Sequence, residues 1–247
     1  LHDCHGSDSP MAENGRLEKA PEGFEQDEDN VKVYQQMLGC AMYAMTCTRP
    51  DLAFSMSHLS QFSSNPTWEH LKALKRVYQY LQRTKNWVLK FRGPGANEDA
   101  EQYRLHAYCD ADWGGDKMER RSTSGYCVFL GGACAVWASR RQASTAASST
   151  EAEWMSSALA TQELLWIRHL LLELEEPWPT TPLYNDNQGA CIIARNPEHR
   201  NKLKHIDIAY NITRKRCCGP LGTHELDMIK IDTAVNTADV LTKPLGR

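Results

Sequence analysis

The first third of the chain places apolar residues at helical spacing. Between residues 31 and 92 they recur every three or four positions, which puts them on one face of a helix. The stripe begins after Pro66, where Thr67 is suited to cap the first turn. Its members are Leu71, Leu74, Tyr78 and Leu81. The pattern predicts a small helical segment over residues 31–92.

Alternation of apolar and polar residues takes over after residue 103. In residues 105–110 Leu, Ala and Cys point to one side and His, Tyr and Asp to the other, as expected for a strand with two different faces. Residues 124–130 and 133–139 are also strand-like, and the two glycines between them are typical of a β-hairpin. These three stretches predict an antiparallel meander.

A long helix and two further strands follow the meander. Ser148-Ser-Thr-Glu151 matches a capping box at the start of a helix that runs toward Leu174. Residues 182–187 and 226–231 are strand-like, with helical patterns between them and again over 236–243. This order predicts an α/β fold, namely a mixed five-stranded sheet with helices on both faces.

Composition divides the chain into four parts. Residues 1–30 hold nine acidic residues against two basic ones, a net charge of −7, so the remainder carries +4 of the total of −3. We expect the acidic part to be a disordered tail. The polar, turn-forming residues 93–102 predict a linker. The expected organisation is tail, helical segment over 31–92, linker, and α/β domain over 103–247.

Charge and hydropathy also bear on location and partners. No apolar run is long enough to span a bilayer, and no signal-peptide pattern is present, so we expect no membrane partner. The nine cysteines include no CxxC pair, which favours reduced thiols. We therefore expect an intracellular protein, in the cytoplasm, a virus-like particle or the nucleus. The mildly basic body is compatible with a nucleic-acid partner.

Four carboxylates lie at positions that a bound metal ion would explain. Asp110 and Asp186 end strands, Glu153 lies one turn into the long helix, and Asp239 opens the terminal helix. Buried carboxylates are costly unless paired, and a set from separate elements makes a hard oxygen site for Mg²⁺ or Mn²⁺. Two such ions can hydrolyse a phosphodiester. Asp110 taken alone is better explained as a turn residue, whereas the four acids together favour a metal site.

Two of these positions have close competitors. Asp110 and Asp112 point to the same strand face, so the alternation leaves both open. Glu151 competes with Glu153, but Glu151 already serves the capping box. Glu153 lies on the helix side that a sheet would bury.

Seven short motifs resemble, in the same order, the C-terminal part of the Pol polyprotein of copia-type LTR retrotransposons. They cover about residues 31–245, and together they are far more specific than any one of them. The motifs are Arg49-Pro-Asp51, Cys109-Asp-Ala-Asp-Trp-Gly114, Arg121-Ser-Thr-Ser-Gly-Tyr126, Ser148-Ser-Thr-Glu-Ala-Glu-Trp154, Asn185-Asp-Asn-Gln188, Lys204-His-Ile-Asp-Ile208 and Ala238-Asp-Val-Leu-Thr-Lys243.

The resemblance implies a ribonuclease H-like domain over residues 103–247, preceded by the end of a reverse transcriptase, in a piece of a longer product. It implies an endonuclease that cuts the RNA strand of RNA–DNA hybrids with two Mg²⁺ ions, for which Mn²⁺ can substitute, and with no small-molecule cofactor. An upstream reverse transcriptase, linked or associated, is the implied partner. The polymerase's own catalytic aspartates are absent.

Carried onto this chain, the family's catalytic and metal-binding acids are Asp110, Glu153, Asp186 and Asp239. Asp110 is preferred to Asp112 because related domains place their first aspartate deeper in the strand. A histidine that precedes the last acid in many ribonucleases H is absent from residues 229–238. Its absence questions the rate of cleavage rather than the activity.

Seven polar residues are candidates for contact with the substrate. The four uncharged ones adjoin proposed ligands and suit recognition of a 2′-OH, although capping and turn duties explain them equally well. The three cations suit phosphates, or are simply solvated. The candidates are Ser149, Thr150, Asn187, Gln188, Arg140, Arg141 and Lys204. Roles for His205 and Asp207 stay open.

Three other functions compete with the nuclease. An integrase of the same general fold has its acids in the order Asp-Asp-Glu, whereas here the glutamate comes second. An inactive retroelement-derived fragment would bind nucleic acid without cutting it. A structural spacer that supports an upstream polymerase suits residues 31–92 better than the rest.

Overall fold

A computed structural model describes residues 5–13, 17–25, 27–96, 98–115, 120–176, 178–196, 211–218 and 224–244. The chain divides into two compact units, Leu1–Leu89 with Lys243–Arg247, and Lys90–Thr242. Each unit has its own hydrophobic core. Among the helices of the described ranges, none combines the length and apolarity that crossing a bilayer requires.

The first unit contains the helices that the apolar spacing predicts. Helix α1 spans Glu28–Thr48, α2 spans Ala53–Ser60 and α3 spans Trp68–Arg83. Thr67 is the N-cap of α3, as predicted, and His70 takes the other half of the capping box. The stripe on α3 packs into a core with α1 and α2. Leu74 is fully buried there, and the other members of the stripe are partly buried. Burial of that face explains why the predicted helices form.

The motif Arg49-Pro-Asp51 joins two parts of this unit through the buried side chain of Arg49. The Arg49 guanidinium donates to both carboxylate oxygens of Asp51, at 3.0 and 2.7 Å, and to the Thr84 hydroxyl at 2.6 Å. It also lies over the rings of Tyr80 and Trp87, 5.4 and 5.9 Å from their centroids. The planar guanidinium can serve all these partners at once, so the motif joins the α1–α2 turn to the end of α3.

Part of the segment predicted to be a disordered acidic tail is docked on this unit. Met11 is buried in its core, Asp8 pairs with Arg83 at 2.8 Å, and Arg76 donates to Ser9. A disordered segment buries no side chain, so the structure corrects the prediction at these positions. The acidic composition of the segment gave no sign of its one buried apolar residue, Met11. Burial of that side chain offsets the entropy that is lost when the segment becomes ordered.

The second unit is built on a mixed five-stranded sheet. Its strands are β1 His106–Asp112, β2 Thr123–Leu130, β3 Ala133–Arg141, β4 Thr181–Asn185 and β5 Leu226–Lys230. Their order is β3-β2-β1-β4-β5. The first three strands form the predicted antiparallel meander, and β4 and β5 continue the sheet parallel to β1. This is the predicted ribonuclease H-like sheet.

Helices cover both faces of the sheet, as predicted. On one face, α4 spans Ser149–Glu173, α5 spans Gln188–Arg195 and α6 spans Ile212–Cys217. On the other face the terminal segment Thr237–Leu241 packs against β1 and β2. That segment is a 3-10 helix rather than an α-helix; it is called the last 3-10 helix below.

The polar residues predicted as a linker belong to the second unit. The Arg92 backbone N–H donates to the carbonyl of Gly131 at 2.9 Å, and its side chain pairs with Glu98. Residues Ala100–Tyr103 form a short 3-10 helix. The two units divide between residues 89 and 90, while the predicted limits of the four segments stay predictions.

Gly125 lets the last 3-10 helix lie directly on the sheet. This glycine of β2 is paired with Asp110 of β1. A Cβ at this position would lie 2.7 Å from the Cγ2 of Thr242, 2.8 Å from the Cβ of Leu241 and 3.2 Å from the carbonyl oxygen of Ala238. The first two distances are shorter than real Cβ contacts and the third is tight, so glycine is the residue that fits beneath the helix without a shift.

Replacement of Gly125 by alanine is therefore expected to push the last 3-10 helix off the sheet. We expect a loss of roughly 1–3 kcal/mol of stability from overpacking. Hydrogen–deuterium exchange should become faster in a peptide covering residues 237–242. Gly93→Ala is the control, because nothing lies within 4 Å of a Cβ there. Equal exchange in both variants would contradict the close packing at Gly125.

Candidate metal centre

Three aspartates meet at one edge of the sheet. Asp110 lies near the end of β1, Asp186 directly follows β4, and Asp239 lies in the last 3-10 helix. One carboxylate oxygen from each of them lies within 4.8 Å of one from each of the other two. Parallel neighbours β1 and β4 end at the same edge, and the 3-10 helix crosses the sheet beside them. Three of the four acids that the sequence predicts to converge are thus close together, and Glu153 is not part of this group of the described residues.

The chemistry of these donors suits a divalent cation. Asp110 is buried, and Asp186 and Asp239 are half-buried. Three anionic groups this close repel one another unless a positive charge stands between them. Carboxylate oxygens are the ligands of hard cations such as Mg²⁺ and Mn²⁺. The arrangement is thus compatible with a divalent metal, whose identity the oxygens alone do not specify.

The structure places the competing Asp112 apart from this group. Its carboxylate turns over the following glycines, so that a Cβ on Gly115 would lie 1.8 Å from its Oδ2. Asp112 is also more exposed than Asp110. Within the described residues it is Asp110 that groups with the two other aspartates. The role of Asp110 as a ligand remains a prediction.

Glu153, on α4, lies near Asp110 and Asp186 and is almost wholly buried. It is 6% exposed, and its Oε2 accepts from the Nδ2 of Asn185 at 2.9 Å. Burial, and then the charges of Asp110 and Asp186, raise the pKa of Glu153 from 4.5 to about 8. Without a cation, therefore, Glu153 holds a proton at neutral pH. A bound divalent cation would lower that pKa again.

The start of α4 separates Glu151 from Glu153 as predicted. Ser148 is the N-cap and accepts from the backbone N–H of Glu151 at 3.2 Å. The Glu151 carboxylate accepts from the backbone N–H of Ala147 at 2.9 Å. Glu151 is therefore held at the start of the helix next to the N-cap, whereas Glu153 lies near Asp110.

Three buried residues that support the acids were given no role by sequence reasoning. The Thr242 hydroxyl contacts the Oδ2 of Asp110. Asn185 and Asn236 donate to the backbone carbonyl of Cys109, the residue before Asp110. The available signal was position: Asn185 and Thr242 stand inside two of the recognised motifs, and Asn236 precedes a helix start.

The four uncharged substrate candidates lie at the N-termini of α4 and α5. Ser149 and Gln188 are exposed there. Asn187 has a structural task, because its side chain caps α5 by accepting from the backbone N–H of Ala190 at 3.0 Å. The Thr150 hydroxyl donates to the same side chain at 3.4 Å. Their contact with a substrate stays a prediction.

The cationic candidates are only partly covered by the structure. Arg140 and Arg141 end β3, where they pair with Ser124 and Thr123 of β2, and Arg140 is exposed. Lys204 lies outside the described residues, as do His205 and Asp207.

The mixed five-stranded sheet and the acidic group beside it agree with what the resemblance in the sequence implies. Among solved structures, LC11-RNase H1, isolated from compost, is similar over 57% of this chain and 93% of its own, with 14% identity and a TM-score of 0.42. The same protein in complex with an RNA/DNA hybrid has a TM-score of 0.38. No family model matches the chain.

Curated relatives are similar to the chain over most of its length. The Pol polyprotein of transposon RE1 from Arabidopsis thaliana is 39% identical over 215 residues, 87% of this chain. That of transposon TNT 1-94 from Nicotiana tabacum is 34% identical over 242 residues, 97% of this chain. Over most of its length the chain is similar to retrovirus-related Pol polyproteins of transposons, and the resemblance to the copia-type proteins is confirmed.

The chain spans only part of those relatives, namely 14% of the RE1 protein and 17% of the TNT 1-94 protein. A shorter relative is matched over most of its own length. It is called secreted RxLR effector protein 161, from Plasmopara viticola, and is 47% identical over 134 residues, 90% of that protein.

The raised pKa of Glu153 predicts how Glu153→Gln changes stability in chelator. The folded state keeps the proton between pH 4.5 and about 8 while the unfolded state releases it, so wild-type stability falls as pH rises through this window. One pKa unit corresponds to about 1.4 kcal/mol, and the neighbouring acids share the shift. We therefore expect the free energy of unfolding of Glu153→Gln to exceed that of wild type by roughly 2 kcal/mol at pH 9 and by little at pH 4.5.

Urea unfolding of wild type and variant in EDTA across this pH range measures the difference. The control is Glu173→Gln, an exposed glutamate on the same helix, whose curve should follow wild type. A constant difference between Glu153→Gln and wild type at all pH values would refute the raised pKa.

Proposed function

We propose that the second unit is a metal-dependent endonuclease that hydrolyses the RNA strand of RNA–DNA hybrids during retrotransposon reverse transcription. The observation that carries the proposal is the set of three aspartate carboxylates within 4.8 Å, at the edge of a ribonuclease H-like sheet. The similarity to retrovirus-related Pol polyproteins of transposons supports it.

The residues that would hold the cations are Asp110, Glu153, Asp186 and Asp239. All four offer carboxylate oxygens, which suit two Mg²⁺ ions, with Mn²⁺ as a substitute. When bound, the ions supply an activated water and stabilise the leaving oxygen of the phosphodiester. Cleavage by this route leaves a 3′-OH and a 5′-phosphate.

The chain's own groups prepare this site in two ways. The Thr242 hydroxyl orients the Asp110 carboxylate, and Asn185 orients that of Glu153. The three aspartates also repel a phosphate backbone as long as no cation neutralises them. Binding of the scissile phosphate at this edge should therefore depend on the cation, which ties substrate placement to metal loading.

We propose that the polar residues around the acids bind the hybrid. Ser149, Thr150, Asn187 and Gln188 adjoin the acids and suit recognition of the 2′-OH groups. Arg140, Arg141 and Lys204 suit the phosphates. The natural setting we propose is linkage to, or association with, a reverse transcriptase, since the chain matches about a seventh of the RE1 Pol polyprotein.

The decisive assay uses the purified chain with a labelled RNA–DNA hybrid. We expect cleavage of the RNA strand in Mg²⁺ and none in EDTA. Asp186→Asn should lower the rate by more than about 100-fold, because it removes a proposed metal ligand. Its affinity for the hybrid should stay within a few-fold, because the contacts to the other phosphates are unchanged.

Asp232→Asn is the matched control, since Asp232 is an exposed aspartate on the segment that leads to the last 3-10 helix. A folded wild-type chain that binds the hybrid in Mg²⁺ without cutting it would replace the enzyme by the inactive nucleic-acid-binding alternative.

A second pair of variants tests which aspartate of β1 is essential. Asp110→Asn should abolish cleavage, because Asp110 belongs to the close acidic group. Asp112→Asn should keep most of the activity, since Asp112 turns over Gly115 instead. Rates in Mg²⁺ for both variants, with thermal unfolding to show that they fold, decide the matter. If Asp110→Asn cleaves at the wild-type rate and Asp112→Asn does not cleave, Asp112 rather than Asp110 is the essential aspartate of β1.

A further inference from the structure

Two asparagine side chains meet on one buried backbone carbonyl. The carbonyl oxygen of Cys109 accepts from the Nδ2 of Asn185 at 3.3 Å and from the Nδ2 of Asn236 at 3.2 Å. All three residues are less than 5% exposed. Each is close in sequence to one of the aspartates, because Cys109 precedes Asp110, Asn185 precedes Asp186, and Asn236 lies three residues before Asp239. The carbonyl therefore links the three segments that carry the acids.

The path of the strands explains why this carbonyl needs side-chain partners. β1 and β4 are paired through Ala107 with Leu183 and Tyr108 with Tyr184, and the pairing of these two strands ends there, one residue before Cys109. The aspartates follow directly. A buried carbonyl left without a donor costs roughly 1–3 kcal/mol. Its two lone pairs accept both amides, so the point where the strands separate is also where the segments are joined.

Each asparagine also fixes its own segment at its other end. The Oδ1 of Asn185 accepts from the backbone N–H of Asn187 at 2.7 Å, across Asp186. The Oδ1 of Asn236 accepts from the backbone N–H of Ala238 at 3.2 Å, which starts the last 3-10 helix one residue before Asp239. Neither side chain can rotate without losing both contacts, so each aspartate is held relative to the same carbonyl.

We propose that Asn185 and Asn236 are positioning residues that fix the distances among Asp110, Asp186 and Asp239 before a cation binds. They thereby set the affinity of the site for divalent cations. The three carboxylates repel one another, and the amide hydrogen bonds hold their segments together against that repulsion. The consequence for cleavage rests on the proposed function, whereas the consequence for cation affinity does not.

The first test is Asn236→Ser, with Mn²⁺ binding followed by the electron paramagnetic resonance signal of free Mn²⁺. Serine still caps a helix but is too short to reach the Cys109 carbonyl as well. We expect Mn²⁺ affinity to fall by about tenfold, the usual scale for residues that support metal ligands. Affinity within twofold of wild type, in a variant shown to be folded by circular dichroism, overturns the proposal.

Asp232→Ser is the matched control. Asp232 caps the preceding 3-10 helix, Thr233–Val235, by accepting from the backbone N–H of Ala234 at 2.9 Å. It is exposed, so removal of its charge is largely screened. This variant exchanges a capping side chain for serine in the same way and should keep Mn²⁺ affinity within about twofold. An equal loss of affinity in both variants would reduce Asn236 to a helix cap and overturn its positioning role.

Asn236→Asp separates positioning from electrostatics. Aspartate keeps the size and the capping oxygen of asparagine but cannot donate to the Cys109 carbonyl. An added negative charge alone would tighten the binding of a cation. We expect weaker Mn²⁺ binding instead, because the link to the carbonyl is lost. Tighter binding by Asn236→Asp would overturn the proposal.

The outcomes keep this proposal apart from the proposed function. If wild type binds Mn²⁺ and cleaves the hybrid while Asn236→Ser binds Mn²⁺ equally well, the positioning role fails and the nuclease stands. If wild type binds Mn²⁺ and Asn236→Ser binds it weakly, but neither cleaves, the positioning role stands and the nuclease fails. A wild-type chain that takes up no Mn²⁺ overturns both.

Discussion

Mutual repulsion among carboxylates is the constraint on which the second unit depends. Four acids from separate elements lie at one edge of the sheet, and the two most buried, Asp110 and Glu153, are at most 6% exposed. In water such groups would move apart. Here Thr242 and two asparagines hold them, and burial keeps a proton on Glu153. The fold thus maintains a concentration of negative charge that only a cation or a proton relieves.

Much of this arrangement could be predicted from local patterns. Period-two alternation gave β1 and the meander, and the capping box of Ser148 and Glu151 assigned Glu151 to the helix start. That assignment left Glu153 as the glutamate for the site, where the structure has it. Short-range physics suffices in these cases, because capping and alternation involve residues within a few positions of one another.

The rest depends on contacts between distant residues. Alternation places Asp110 and Asp112 on the same face, and only the approach of the last 3-10 helix, allowed by Gly125, distinguishes them. The partners of the Cys109 carbonyl lie 76 and 127 residues further along the chain, and no periodicity reports such a pairing. Met11 was missed for a related reason, since composition describes a segment and not the one side chain that docks.

A proton on Glu153 and a divalent cation are two alternative ways to reduce the repulsion among the carboxylates. A cation at the aspartates favours the ionised form of Glu153, and the ionised form in turn favours the cation, because the two are thermodynamically linked. Rigid support matters more under this linkage, since acids free to spread would relieve their repulsion without binding anything. By holding Asp186 and Asp239 to the carbonyl before Asp110, the fold leaves charge neutralisation as the remaining way to lower the energy of the site.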